Sequence, residues 1–210
     1  MTASALGLDD ILDLRAYERV RDDYRRRVIE LKRSRRLALG PHLSAVFECA
    51  DTVRFQIQEM ARAERIVTDE GLQHELDVYN RLLPAEGELS ATLFVELTSE
   101  EDLRHWLPRL VGIERALAFE IGDPEARPDV VASIPEQSHA DALTRESVTA
   151  AVHYVRFAFS TGAVRRFAAG EPVGLAVHHP AYEARTVLEP EVRAALLQDL
   201  EGRTARLQLG

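Results

Sequence analysis

Residues 36–66 read RLALGPHLSAVFECADTVRFQIQEMARAERI. Two short runs, Arg36–Leu39 and Leu43–Glu48, flank Gly40-Pro41. That pair turns a chain, because glycine reaches backbone conformations closed to other residues and proline presets φ. Two strands joined by a tight turn are therefore predicted. The apolar spacing then lengthens to that of a helix. Val53, Ile57, Met60, Ala61 and Val67 form the buried side of a helix capped by Asp51 and running to about Ile66. Arg54, Gln58, Glu59, Arg62 and Arg65 fall on its flanks and back, with Glu59 and Arg62 spaced to form an ion pair. Strands feeding into an amphipathic helix set the expectation for the rest of the chain.

On the N-terminal side, residues 1–10 read as frayed. Leu14, Tyr17, Arg21, Tyr24, Val28 and Leu31 then recur at helical steps behind a candidate N-cap, Asp13. Arg21 interrupts this apolar stripe. Arg15–Arg36 holds ten basic and four acidic residues, although the whole chain carries −9. The plain reading is a surface helix with solvated arginines. The sharper one is an arm for an acidic partner or nucleic acid, and the acidic remainder counts against the latter. Lys32 is the single lysine, so arginine abundance alone says little about phosphate binding.

On the C-terminal side, Thr68 caps a helix striped by Leu72, Leu76, Tyr79 and Leu83 and ended by Pro84 and Gly87. Ala91–Leu97 alternates as a strand. Thr98 and Glu101 fit a capping box for a helix through Leu107. Ala116–Ile121 and Val130–Ile134 read as strands, and Pro135–Glu146 as a polar loop. Val148–Phe159 is the clearest strand, with His153, Val155, Phe157 and Phe159 on one face. Thr161-Gly162 reads as a hairpin turn into Ala163–Ala168, followed by a strand over Val173–His178 and a final helix opened by Pro190. The tail from Gly202 adds a short strand or frays. Helices followed by a mainly antiparallel sheet with short flanking helices give an α+β fold. One domain over 1–210 is expected: a basic helical arm (10–35), a core (36–160) and a C-terminal hairpin and helix (161–210).

Composition narrows function mainly by exclusion. With Cys49 alone, an intramolecular disulfide and cysteine-based zinc or iron–sulfur sites are ruled out within the chain. No apolar run approaches the roughly 18 residues that suggest a membrane span, and the N-terminus lacks a signal-peptide pattern. A cytoplasmic protein that does not engage a membrane is expected. There is no phosphate-binding glycine loop, and Ser44, Ser147 and Ser160 lack a nucleophile-elbow context.

Several stretches carry a resemblance: YERVR with the arginine-rich run to KRSRR, GPHLSAVFE, TVRFQIQEMARAERI, ELDVYNRLLP, ATLFVEL, LVGIE and SVTAAVHYVRF. Together they span roughly Tyr17–Phe159. In this ordered series the chain resembles a bacterial family defined only as a domain of unknown function. The resemblance implies partners, because such proteins are encoded beside rubrerythrin-type proteins and iron–sulfur oxidoreductases of the heterodisulfide-reductase type. That implies an accessory role in redox or peroxide metabolism.

The candidate ligand-binding set is His42, Glu48, Arg54, Gln56, Glu59, Arg62, Glu64, Glu75, Tyr79, His153 and Arg156. Several of these stand where the pattern calls for apolar contact, and buried polar groups need partners. A structural ion-pair network, a ligand pocket and a metal site are the three readings. For a metal ion, Glu48, Glu59, Glu64 and His153 would have to converge across the fold. Asp102/His105 and Glu70/His74 read as solvated helix pairs, and His178-His179-Pro180 as a strand-end turn. Cys49 beside Glu48 reads as a buried small hydrophobe. Three functions follow: a partner-binding accessory protein, a small enzyme or ligand binder using the Arg/Glu/His set, and nucleic-acid binding through the basic helix. A homo-oligomer is compatible with all three.

Overall fold

The structure, a computed structural model, describes residues 5–136, 148–204 and 207. Residues 137–147, including Ser147 and most of the predicted polar loop, lie outside the described residues, as do 1–4 and most of the tail.

Two antiparallel sheets face each other across one apolar core. The first contains β1 (Arg36–Leu39), β2 (Leu43–Phe47), β3 (Glu88–Val95), β7 (Val152–Ala158) and β6 (Ile134–Pro135), in that order. The second has the order β5 (Asp129–Ala132), β4 (Leu117–Ile121), β8 (Val173–His179) and β9 (Tyr182–Val187). Inward side chains of both sheets interdigitate. Phe47 meets Phe119 at 5.6 Å between ring centroids, and Phe119 meets Phe157 edge-on at 4.9 Å. Each such ring contributes about 1.5–3 kcal/mol when fully buried.

Both seams between the sheets are bridged. On one side β5 leads through Ser133 into β6, so the chain steps from the second sheet to the first. On the other, Tyr182 Oη donates to the Leu39 carbonyl at 2.6 Å and Thr186 Oγ1 to that of Ala38 at 2.5 Å, tying β9 to edge strand β1.

A helical layer of α1 (Leu14–Arg33), α2 (Ala50–Glu64) and α3 (Asp69–Tyr79) covers the outer face of the first sheet. Val53 and Ile57 of α2 and Leu76 of α3 form a second apolar cluster, which Tyr154 of β7 joins. α4 (Glu100–Trp106), α5 (Thr161–Ala168) and α6 (Pro190–Leu200) complete the chain. Six helices and two antiparallel sheets among the described residues make the fold α+β.

Several boundaries differ from the sequence reading. α2 is preceded by Cys49 rather than capped by Asp51, and ends at Glu64, where Arg65 turns left-handed at φ 56°. Val67 therefore leaves the helix and is 77% exposed. The predicted strand over Ala163–Ala168 is helix α5. Ser160 Oγ accepts from the Ala163 N–H at 3.1 Å, and the buried Ala163 and Phe167 sit one helical turn apart. So short an apolar run does not separate the two periods by itself. Ser99, not Thr98, caps α4. β9 had no signal in the sequence because only Tyr182 of its six residues is buried. Leu6 is buried with both its backbone groups bonded to the Asn80 side chain, so fraying does not extend to it.

Candidate functional site

The interface around α2 is polar, and five of the predicted residues meet it, Glu48 and Gln56 toward the first sheet and Arg54, Glu59 and Arg62 toward α1. Glu48 follows β2 and is buried. Its Oε2 accepts from Thr52 and its Oε1 from Thr92, both at 2.5 Å. Arg54 bonds Asp51 at 2.5 Å, receives the Tyr24 ring beneath its guanidinium and also reaches the Leu207 carbonyl. Gln56 lies 3.5 Å from Tyr154 Oη. Glu59 accepts from Tyr17 Oη at 2.7 Å and takes both Arg21 donors, at 2.8 and 2.7 Å. The predicted Glu59–Arg62 ion pair is not formed. Arg21, across the helix pair, claims Glu59, and Arg62 bonds Glu18 at 2.5 Å. The Arg21 hydrogen bonds hold the Glu59 carboxyl below its ordinary pKa, and burial pushes Tyr24 up to about 12.

The remaining candidates lie apart from that interface. His153 is 3% exposed and faces the inter-sheet core. Its Nε2 is 2.9 Å from both the Ala150 carbonyl and Thr149 Oγ1. A carbonyl only accepts, so Nε2 carries the proton. Nδ1 faces Glu114 Oε2 at 3.9 Å, and that buried oxygen has no hydrogen-bond partner. Burial lowers the His153 pKa while Glu114 opposes the shift. His42 stacks on Trp106 at 4.8 Å and lies 6.2 Å from the Tyr182 ring. Arg156 pairs with Glu88 at 3.1 Å and reaches the Arg81 carbonyl. Glu64 is exposed rather than semi-buried, Glu75 and Tyr79 are partly buried, and burial followed by repulsion from Glu64 raises the Glu75 pKa.

Glu48, Glu59, Glu64 and His153 thus do not converge. Glu48 is spent on two threonines, Glu59 on Tyr17 and Arg21, and His153 sits between the sheets. Among the described residues no group of three or more His, Cys, Asp or Glu side chains is arranged to hold a metal ion.

The helical layer also forms two open concavities, which share Ile66. One, of about 350 Å³, is lined by Leu8, Ile11, Leu12, Leu14, Val67 and Leu72 among others, an apolar side that shares the lining with Asp13, Arg15 and Asp69. The other, of about 730 Å³, is acidic, with Glu64, Glu70, Glu75 and Asp77 beside His74. α1 is less basic outside than its sequence suggested. Its exposed Arg15, Arg19, Arg25, Arg26 and Arg33 alternate with exposed Glu18, Asp22, Asp23 and Glu30, and Arg26–Asp23 and Arg33–Glu30 form ion pairs.

Residues 5–200 match the family described as protein of unknown function (DUF3501). The chain belongs to that family. A crystal structure of a novel protein of unknown function from Burkholderia pseudomallei superposes on this DUF3501 chain with a TM-score of 0.84 and 35% identity, covering 94% of this chain and all of that one. No curated protein matches the DUF3501 chain.

The sequence reading overlooked Glu114, Arg35, Asp199 and the apolar groove. Glu114 closes the LVGIE stretch. Asp199, between Leu196 and Leu200 on the buried side of α6, was a carboxylate on an apolar stripe. The groove had no signal, because the helical spacing puts Val67 on the buried side of the helix that begins near Asp51. Among the described residues no helix is long and apolar enough to cross a membrane.

Proposed function

We propose that this chain is a partner-binding accessory protein, and that its partners are the rubrerythrin-type protein and iron–sulfur oxidoreductase implied by the family resemblance. The observation that carries this reading is the apolar groove on the helical layer. Val67 is 77% exposed and Leu8 36% exposed at its edge. Groups of apolar side chains left in water at a concave surface favour association, because covering them releases that water. The charged residues that could have formed a reaction centre support the same reading. Arg54, Glu59, Arg62 and Arg156 are each engaged by partners within the chain. Binding of a rubrerythrin-type protein and of the oxidoreductase, both from the same genome, is measured by isothermal titration calorimetry. Saturable binding that Val67→Asp weakens is expected; no heat with either protein overturns the reading.

One observation favours a second reading, that of a small-ligand binder. Glu114 Oε2 is a buried acceptor without a donor beside the His153 ring, at the kind of position where a ligand's donor group would fit. Native mass spectrometry of the purified chain tests it. A retained small molecule that His153→Ala releases supports the reading, and a mass equal to that of the polypeptide removes it.

A further inference from the structure

The apolar and acidic concavities share a wall, and this narrows the chemistry of the partner. Ile66 lines both. Leu12, Val67 and Leu72 stand on one side of it, and Glu64, Glu70 and Glu75 on the other. α2 stops at Glu64 because Arg65 adopts a left-handed conformation, and α3 restarts at Asp69 behind its Thr68 cap. The intervening turn is what lifts Val67 into solvent beside the acidic side chains.

The carboxylates there lack the compensation found elsewhere on the surface. Glu59, Glu88 and Glu120 each hold an arginine. Among the described residues no arginine or lysine pairs with Glu64, Glu70 or Glu75, and Asp77 is met only by the neutral amide of Gln73, at 2.8 Å. Glu75 is partly buried, and after burial itself the repulsion of Glu64 is what most disfavours its charge. A cation placed beside this pair would offset the repulsion and favour the charged form of both carboxyls.

We propose that this surface docks an amphipathic helix of a partner protein, its apolar stripe in the groove beside Val67 and its lysines or arginines against Glu64, Glu70 and Glu75. The inference rests on the partner-binding reading above. A helix suits the shape, because anchors one turn apart on one face fill a groove while the adjoining flank faces its rim.

The test is fluorescence anisotropy with the full chain and a labelled synthetic helix of about 18 residues, five turns long, bearing a leucine stripe and a lysine flank. Two controls replace the lysines by glutamates or the leucines by serines. The lysine–leucine helix is expected to bind at least about tenfold more tightly than either control, roughly 1.4 kcal/mol. Its affinity should fall with added salt, since exposed charges are screened. Val67→Asp should abolish binding, and Glu64→Gln/Glu75→Gln should weaken it and flatten the salt dependence. All three substitutions are at exposed or partly buried positions, and circular dichroism melts verify that the variants fold. Equal binding of the lysine and glutamate helices, or no binding of the lysine–leucine helix, overturns the proposal. The reading beneath it is separable. If the rubrerythrin-type protein binds and Val67→Asp blocks it while the double glutamine variant does not, the groove is a docking site for an uncharged surface. If neither natural partner binds, the accessory reading itself fails.

Discussion

Glu59 is held by three donors from α1, and this predicts how stability depends on acidity. Its carboxyl lies below the ordinary glutamate value of 4.5 when folded, with the Arg21 hydrogen bonds as the largest cause. A depressed acid stabilises the fold above its unfolded pKa, and that contribution is lost as pH falls through the folded one. Glu59→Gln should therefore cost about 1.5–3 kcal/mol at pH 7, the range for hydrogen bonds to a charged group. The gap between variant and wild type should close in urea titrations carried from pH 7 to below 4.5. His153 and Glu64, both members of the candidate metal set, differ in burial and so in expected cost. His153→Ala removes a buried ring and leaves Glu114 facing a void, so a loss of about 2–4 kcal/mol is expected. Glu64→Gln, on the surface, should stay within about 0.5 kcal/mol of wild type. Melting temperatures of the two variants decide the point. The sequence betrayed His153 because a strand face that is otherwise Val and Phe marks its neighbour as buried. It could not place Glu64, because α2 ends at that residue and no further helical turn follows to cover it.

At the scale of elements, the β1–β2 turn shows how a local signal serves a distant contact. Gly40 was read as a turn residue, and it has φ 69°, which L side chains rarely adopt. A Cβ there would also stand 2.5 Å from Tyr182 Oη, the hydroxyl that ties β9 to Leu39. Gly40→Ala is expected to cost at least about 1–2 kcal/mol from the backbone alone. It should also speed hydrogen exchange at β1 and β9 more than at α2; equal exchange at all three elements would count against this coupling. The helices α1, α2 and α3 and strand β7 were legible because long periodic runs bury one face. α5 and β9 were not, since eight and six residues hold too few apolar positions to fix a period.

For the whole molecule, the side-chain bond that joins the most distant parts among the described residues is Arg35–Asp199, 164 residues apart in sequence and with both side chains 2% exposed. The guanidinium meets the carboxylate at 2.5 and 3.0 Å, anchoring α6 to the segment between α1 and β1. Removing one member leaves the other charge buried, which costs about 3–5 kcal/mol, whereas an apolar pair of similar volume is often tolerated. Asp199→Leu should thus be markedly less stable than Arg35→Met/Asp199→Leu in guanidinium denaturation. Equal losses would show that the pair does not act as a unit. No sequence period announces such a bond. Each partner is visible only as a charged residue beside apolar ones, and their meeting depends on every element between them.

The lone thiol at position 49 sits where α2 begins, 2% exposed, and burial pushes its pKa up. Only the thiolate reacts quickly, so the folded chain should ignore an alkylating reagent that consumes the unfolded one at once. Nature has in effect placed a single stopwatch under the helical layer. The pace at which iodoacetamide marks the native protein would time how often α2 lifts from the sheet, and whether an occupied groove keeps it down.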